Sequence, residues 1–157
     1  MSVLDFSDVI YMHASAAILK PLDAIFHSVL RFITGDPYST HHCTLYSRVG
    51  WPSLTARREQ NCLIFIYKAL LGTLPPYLTS LLNFRTTGLL TRSQSHIRLH
   101  LPYTNIELGK TAFSFYAPYR WNKLQDSLKI DRLISLGALK SKLHTTVLGV
   151  QTCSCFS

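Results

Sequence analysis

Ile18-Leu-Lys-Pro-Leu-Asp-Ala-Ile-Phe-His-Ser-Val-Leu-Arg-Phe-Ile33 decides the fold class. Within it Ile18, Leu22, Ile25, Phe26, Val29, Leu30 and Ile33 return every three or four residues. That is the period of a helix with one apolar face, and the face is expected to meet a core. Gly35-Asp36-Pro37 stops the helix: glycine accepts a left-handed cap and proline cannot continue the ladder. At the other end Pro21 lacks an N–H, so the helix is expected to begin near Lys20.

Downstream the helical signal continues. Gly50-Trp51-Pro52 marks a turn and Ser53 can cap a second long helix. From Leu54 to Leu71 the pattern starts polar at Arg57, Arg58, Glu59 and Gln60, then becomes apolar nearly all round, as in a helix buried at its C-terminal end. Gly72 and Pro75-Pro76 close it, and Tyr77–Phe84 reads as a further short helix. Residues 85–95 form a polar connector. Beyond it Ile97, Leu99 and Leu101 alternate with Arg98 and His100, which is strand logic. Pro102-Tyr103-Thr104 can turn the chain into a second strand, Asn105–Leu108, ended by Gly109. Thr111–Leu124 reads as partly helical, broken or kinked at Pro118. Leu133, Leu136, Leu139, Leu143 and Val147 fit a last amphipathic helix, with Lys140, Lys142 and His144 where they suit its dipole. The expected fold is mainly α: a small helical bundle in residues 1–84, then a basic region, residues 85–157, with a short β-hairpin and a C-terminal amphipathic helix.

Charge divides the chain in the same place. Of 157 residues, 1–84 hold six Lys/Arg and five acids, whereas 85–157 hold ten Lys/Arg and three acids. Nearly the whole formal +8 therefore belongs to the second half. A field of that kind concentrates polyanions, so RNA or DNA is the expected partner; the alternative is a solvated basic surface. Asp5 and Asp8 interrupt the first apolar stretch, which does not read as a secretory leader. The longest apolar run, Cys62–Tyr67, is far short of the ~20 residues that span a bilayer. Cysteines stand only at 43, 62, 153 and 155, so reduced thiols and an intracellular location, nuclear or cytoplasmic, are expected.

Signals for chemistry are weak. Asp5 and Asp8 could share a helix face, but acids near a helix start are ordinary capping. His41-His42-Cys43 with Cys62 offers zinc-type ligands without the second closely spaced pair of a structural site, and Cys153-x-Cys155 is equally bare. Neither a nucleophile elbow nor a phosphate-binding glycine loop is present in the sequence. No catalytic residue, metal or cofactor is expected. The most informative stretch is Lys110–Lys123, where Phe113, Phe115, Tyr116, Tyr119 and Trp121 interleave with Lys110, Arg120 and Lys123. Aromatic rings can stack on bases while cations meet phosphates. Phe113, Phe115 and Trp121 are expected in the core, leaving Tyr116 and Tyr119 as stacking platforms. Arg85, Arg92, Arg98, Lys110, Arg120, Lys123, Lys140 and Lys142 are the expected phosphate contacts.

Several segments also carry a family resemblance: Leu4-Asp-Phe-Ser-Asp-Val-Ile-Tyr11, Leu22-Asp-Ala-Ile-Phe-His27, Leu30-Arg-Phe-Ile-Thr34, His41-His-Cys-Thr-Leu-Tyr46, Gly50-Trp-Pro-Ser-Leu54, Ile66-Tyr-Lys-Ala-Leu70, Pro76-Tyr-Leu78, Ala112-Phe-Ser114 and Ala117-Pro-Tyr-Arg-Trp-Asn122. In this order the chain resembles the C-terminal end of the reverse transcriptase of vertebrate non-LTR, LINE-type retrotransposons. The resemblance implies the thumb and the tail beyond it, which would hold primer–template while the palm does the chemistry. Polymerase chemistry needs an aromatic-x-Asp-Asp turn holding divalent ions. Phe6-Ser-Asp-Val9 has Val9 where the second carboxylate belongs, so no catalytic residue carries over. The palm would be a missing intramolecular partner, leaving Val3, Leu4, Val9, Ile10 and Tyr11 without a surface to pack on. Two other readings stay open: a decayed or mispredicted open reading frame with no selected function, and a protein-interaction module.

Overall fold

The computed structural model describes residues 7–85 and 96–148. Among them are eight helices: α1 (Asp8–Tyr11), α2 (Ala16–Thr34), α3 (His42–Val49), α4 (Leu54–Leu70), α5 (Pro76–Thr79), α6 (Glu107–Lys110), α7 (Phe113–Leu128) and α8 (Leu136–Leu148). The architecture is mainly α, and no helix among the described residues is long and apolar enough to cross a membrane. The chain forms two compact units, residues 1–61 with 147–157, and residues 62–146, whose boundary falls inside α4.

In the first unit α2 packs against α3. Phe26, Leu30, Leu45 and Leu54 are its buried core, with Leu22, Tyr46 and Val49 packed on them. Both helices end where the sequence places glycine: Gly35 and Gly50 have φ of 69° and 68°, a left-handed conformation that costs other residues about 1 kcal/mol or more. Ser53 Oγ accepts from the Ala56 amide, capping α4 as expected. The apolar face of α2 is narrower than its periodicity suggested. Phe26 and Leu30 are buried, but Ile18, Ile25, Val29, Ile33 and Phe32, the last 89% exposed, lie outside the core. The short α3 can cover only the Leu22–Phe26–Leu30 line. The helix also starts at Ala16, so Pro21 sits inside it and the bond that would reach the Ala17 carbonyl is lost. Asp8, expected as a cap, is buried and accepts from Asn61 Nδ2 at 2.6 Å; Asp5 lies outside the described residues.

The second unit is built around Trp121 and Tyr67, both fully buried, with ring centroids 5.6 Å apart. Cys62, Leu63, Ile66, Ala69 and Leu70 of α4, Ala117 and Leu124 of α7, Leu139 and Leu143 of α8, and Leu82, Leu99 and Ile130 between helices are buried with them. The Tyr67 hydroxyl donates to the Ile134 carbonyl and accepts from the Ile134 amide, both at 2.6 Å, and so fixes the approach to α8. Burial pushes this phenol above its ordinary pKa of 10.0. Helix α7 runs unbroken through Pro118, which is packed in the core six residues past the N-cap Ala112.

The expected β-hairpin at 97–108 is not formed. Residues 97–100 are extended and Leu99 faces inward, but the partner is 83–85, through one bridge between Phe84 and Leu99. The Arg85 amide donates to the Arg98 carbonyl, and the His100 amide to the Asn83 carbonyl. The opposite edge is closed by side chains. Asn122 accepts from the Leu99 amide at 2.9 Å and donates to the Leu99 carbonyl at 2.8 Å, while Trp121 Nε1 donates to the Ile97 carbonyl at 2.8 Å. The Ile97 amide reaches the Ile130 carbonyl. With both edges occupied no second strand can add, and Glu107–Lys110 coils into α6 instead. Tyr77–Phe84 likewise keeps only the turn α5, because its end is drawn into this pairing.

Candidate nucleic-acid interface

Helix α7 sorts its residues by face. Ala117, Trp121, Leu124 and Gln125 point into the core, where Gln125 Oε1 accepts from the buried Ile130 amide. Tyr116, Tyr119, Arg120 and Lys123 fall within an arc of about 100° on the other side, given a helical step of about 100° per residue. The sequence thus interleaves aromatics and cations, and the helix separates them into a core and a polar-aromatic face. The Arg120 guanidinium lies over the Tyr116 ring, 5.6 Å from its centroid. Tyr119 stacks beside Phe115 at 6.3 Å and stays 47% exposed, and Lys123 is exposed. Trp121 is core, as expected; Phe113 and Phe115 are only half-buried, Phe113 meeting Phe65 edge-on at 5.8 Å.

The remaining expected contacts divide into engaged and exposed groups. Arg98 pairs with Asp126 at 2.6 Å, and Lys110 pairs with Glu107 in the same turn of helix. Arg85 is exposed at the chain's pairing with Arg98. Lys140 and Lys142 are exposed on α8, one on each side of the buried Leu139–Leu143 line, so they cannot both face one surface. Arg92 lies outside the described residues. Lys129 and Arg132, exposed between α7 and α8, add to the sequence charge but stand in no motif that would single them out.

Compared with known proteins, the chain matches no family model, no curated protein and no solved structure. Its own electrostatics therefore carry the case.

The unit 62–146 contains eleven Lys/Arg and three acids, a formal +8, whereas the other unit holds five of each and is neutral. All three acids are engaged: Asp126 with Arg98, Glu107 with Lys110, and Asp131 with His96. Positive charge is thus left over on one compact body. Two arginines of the neutral unit are drawn into its packing: Arg58 is 6% exposed and faces Asp23, and Arg57 lies over the Phe26 ring. Cys62 is buried in the apolar part of α4 as a small hydrophobe.

Proposed function

We propose that this chain is a non-catalytic part of a reverse-transcriptase-like polypeptide, and that its second unit holds nucleic acid without reading sequence. The observation that carries the reading is the α7 face, where Tyr116, Tyr119, Arg120 and Lys123 stand together on a body with a surplus of positive charge. Cations on such a face contact phosphates, which fix position but contain no base information. An exposed ring such as Tyr119 stacks on an unpaired base of any identity. The segment Ala117–Asn122, prominent in the resemblance to LINE-type reverse transcriptases, also builds this helix. A thumb and tail would use such a face to keep primer–template in place. With no adjacent Asp pair in the sequence, primer extension in Mg²⁺ or Mn²⁺ stays at background.

Fluorescence anisotropy with single-stranded and duplex DNA of equal length tests this. Replacing Arg120 and Lys123 by Ala should flatten the log–log salt dependence by about 0.7–0.9 for each phosphate no longer neutralised. Tyr119→Ala should weaken single-strand binding by about 1–3 kcal/mol and leave duplex binding nearly unchanged. Lys20→Ala, on the neutral unit, should do neither. Equal losses from Lys20→Ala and from the α7 variants would defeat the proposal.

A second reading, a protein-interaction module, is favoured by one observation. Ile18, Ile25, Val29 and Phe32 form an exposed apolar stripe along α2.

A further inference from the structure

Helices α2 and α3 gather imidazoles that the sequence holds apart. His27 of α2 has Nε2 2.6 Å from the Tyr46 hydroxyl of α3. The half-buried His42 ring packs against its neighbours: its centroid is 4.1 Å from that of His41, 5.1 Å from that of His27 and 5.8 Å from that of Tyr46, which it meets edge-on. His41 is the N-cap of α3, and its Nδ1 accepts from the Cys43 amide at 3.3 Å. Cys43 follows in the first turn, where the helix dipole favours the negative charge of a thiolate.

The ligating atoms of His41, His42 and Cys43 lie within 4.8 Å of one another. We propose that these three residues bind one Zn²⁺ at the start of α3, two imidazoles and a thiolate leaving the fourth tetrahedral position to water. Ligands at zinc's bond lengths of about 2.0–2.3 Å stand roughly 3.3–3.8 Å apart, so the three must close by at most roughly 1–1.5 Å, which side-chain rotation supplies. A second closely spaced ligand pair is what the sequence lacks. The fold supplies something different: packing from His27 and Tyr46 that holds the His42 ring in place before metal arrives, which limits the ordering cost of binding. The opposing charge is Arg31, whose guanidinium lies 4.9 Å over the Tyr38 ring. Zinc with this N₂S set is the borderline-soft ion the donors suit.

The reduced full chain titrated with Co²⁺ alone, then with Zn²⁺, tests the site. One equivalent of Co²⁺ should produce thiolate-to-cobalt charge-transfer absorbance together with tetrahedral d–d bands, and Zn²⁺ should abolish both. Cys43→Ser should remove the charge-transfer band. His41→Asn, which can still cap α3, should weaken binding at least tenfold, with circular dichroism unchanged. Cys62→Ser and the double variant Cys153→Ser/Cys155→Ser should bind as the parent does. No binding at one equivalent, absorbance without the sulfur band, or a band that survives Cys43→Ser and disappears with the tail cysteines overturns the proposal.

Discussion

Replacing Asn122 by Ala should unlock the second unit. Asn122 gives both of its amide groups to Leu99, accepting from the backbone N–H at 2.9 Å and donating to the C=O at 2.8 Å. Leu99 is 1% exposed, so water does not easily replace either bond. Truncation leaves one buried donor and one buried acceptor unpaired, at about 1–3 kcal/mol each, and we expect a total of about 2–4 kcal/mol. For a unit the size of 62–146 that is a fall in Tm on the order of 10–25 °C. An exposed Asn→Ala change would cost at most about 0.5 kcal/mol. The assay is urea unfolding followed by Trp121 fluorescence in a Trp51→Phe background, with amide exchange at Leu99 as the local readout. Asn122→Asp keeps the acceptor but sets an oxygen against the Leu99 carbonyl, so it should be no better than Ala. A loss below about 0.5 kcal/mol, with Leu99 exchange unchanged, would refute the claim that side chains close this edge.

Lys129 ends α7 with φ of 48°, and Lys129→Gly should raise unfolding stability by up to about 1 kcal/mol, read as a higher urea midpoint. Burial above all lowers the pKa of His27 and of His42 below 6.5, so the unfolded chain takes up protons first as the solution is acidified. With chelator present, the stability of the first unit should therefore be constant above about pH 7 and fall as pH drops below about 6.5, a dependence that urea midpoints across pH would display or fail to display. The α2 stripe should promote self-association at high micromolar concentration, seen in sedimentation velocity and reduced by the double variant Ile25→Glu/Phe32→Glu; a parent chain that sediments only as monomer would count against an unpartnered face.

The long helices α2 and α4 are legible in the sequence because their apolar pattern and terminating glycines agree, and α8 is legible from its apolar period. Helix α3 is not: it is eight residues long and buries only Leu45, too little for a periodic signal. At 97–101 alternation correctly places Leu99 inside and suggests the wrong partner. Period tells which side of an extended segment is buried; it does not tell which groups take its backbone hydrogen bonds, and here Asn122 and Trp121 do so from 23 and 24 residues away. The interface shows the same division. Composition identifies Tyr116, Tyr119, Arg120 and Lys123, and the helical step brings them onto one face. That Arg98 and Lys110 are matched with Asp126 and Glu107 depends on tertiary contact in the first case and a helical turn too short to foresee in the second. The imidazole cluster is hidden because His27 lies 19 residues before Tyr46 in the chain.

Whether residues 62–146 hold nucleic acid is decided by the salt dependence of binding. Dissociation constants of the full chain for duplex and single-stranded DNA, measured between about 50 and 200 mM salt, should fall on log–log lines. About four phosphate contacts correspond to a slope of roughly −3 to −4 on duplex in log association constant, with little difference between sequences. Asp126→Asn, which releases Arg98, should tighten binding and steepen that slope by up to about 0.9. A slope near zero, or an Asp126→Asn variant indistinguishable from the parent, would mean that the positive charge of residues 62–146 is a solvated surface and holds no nucleic acid.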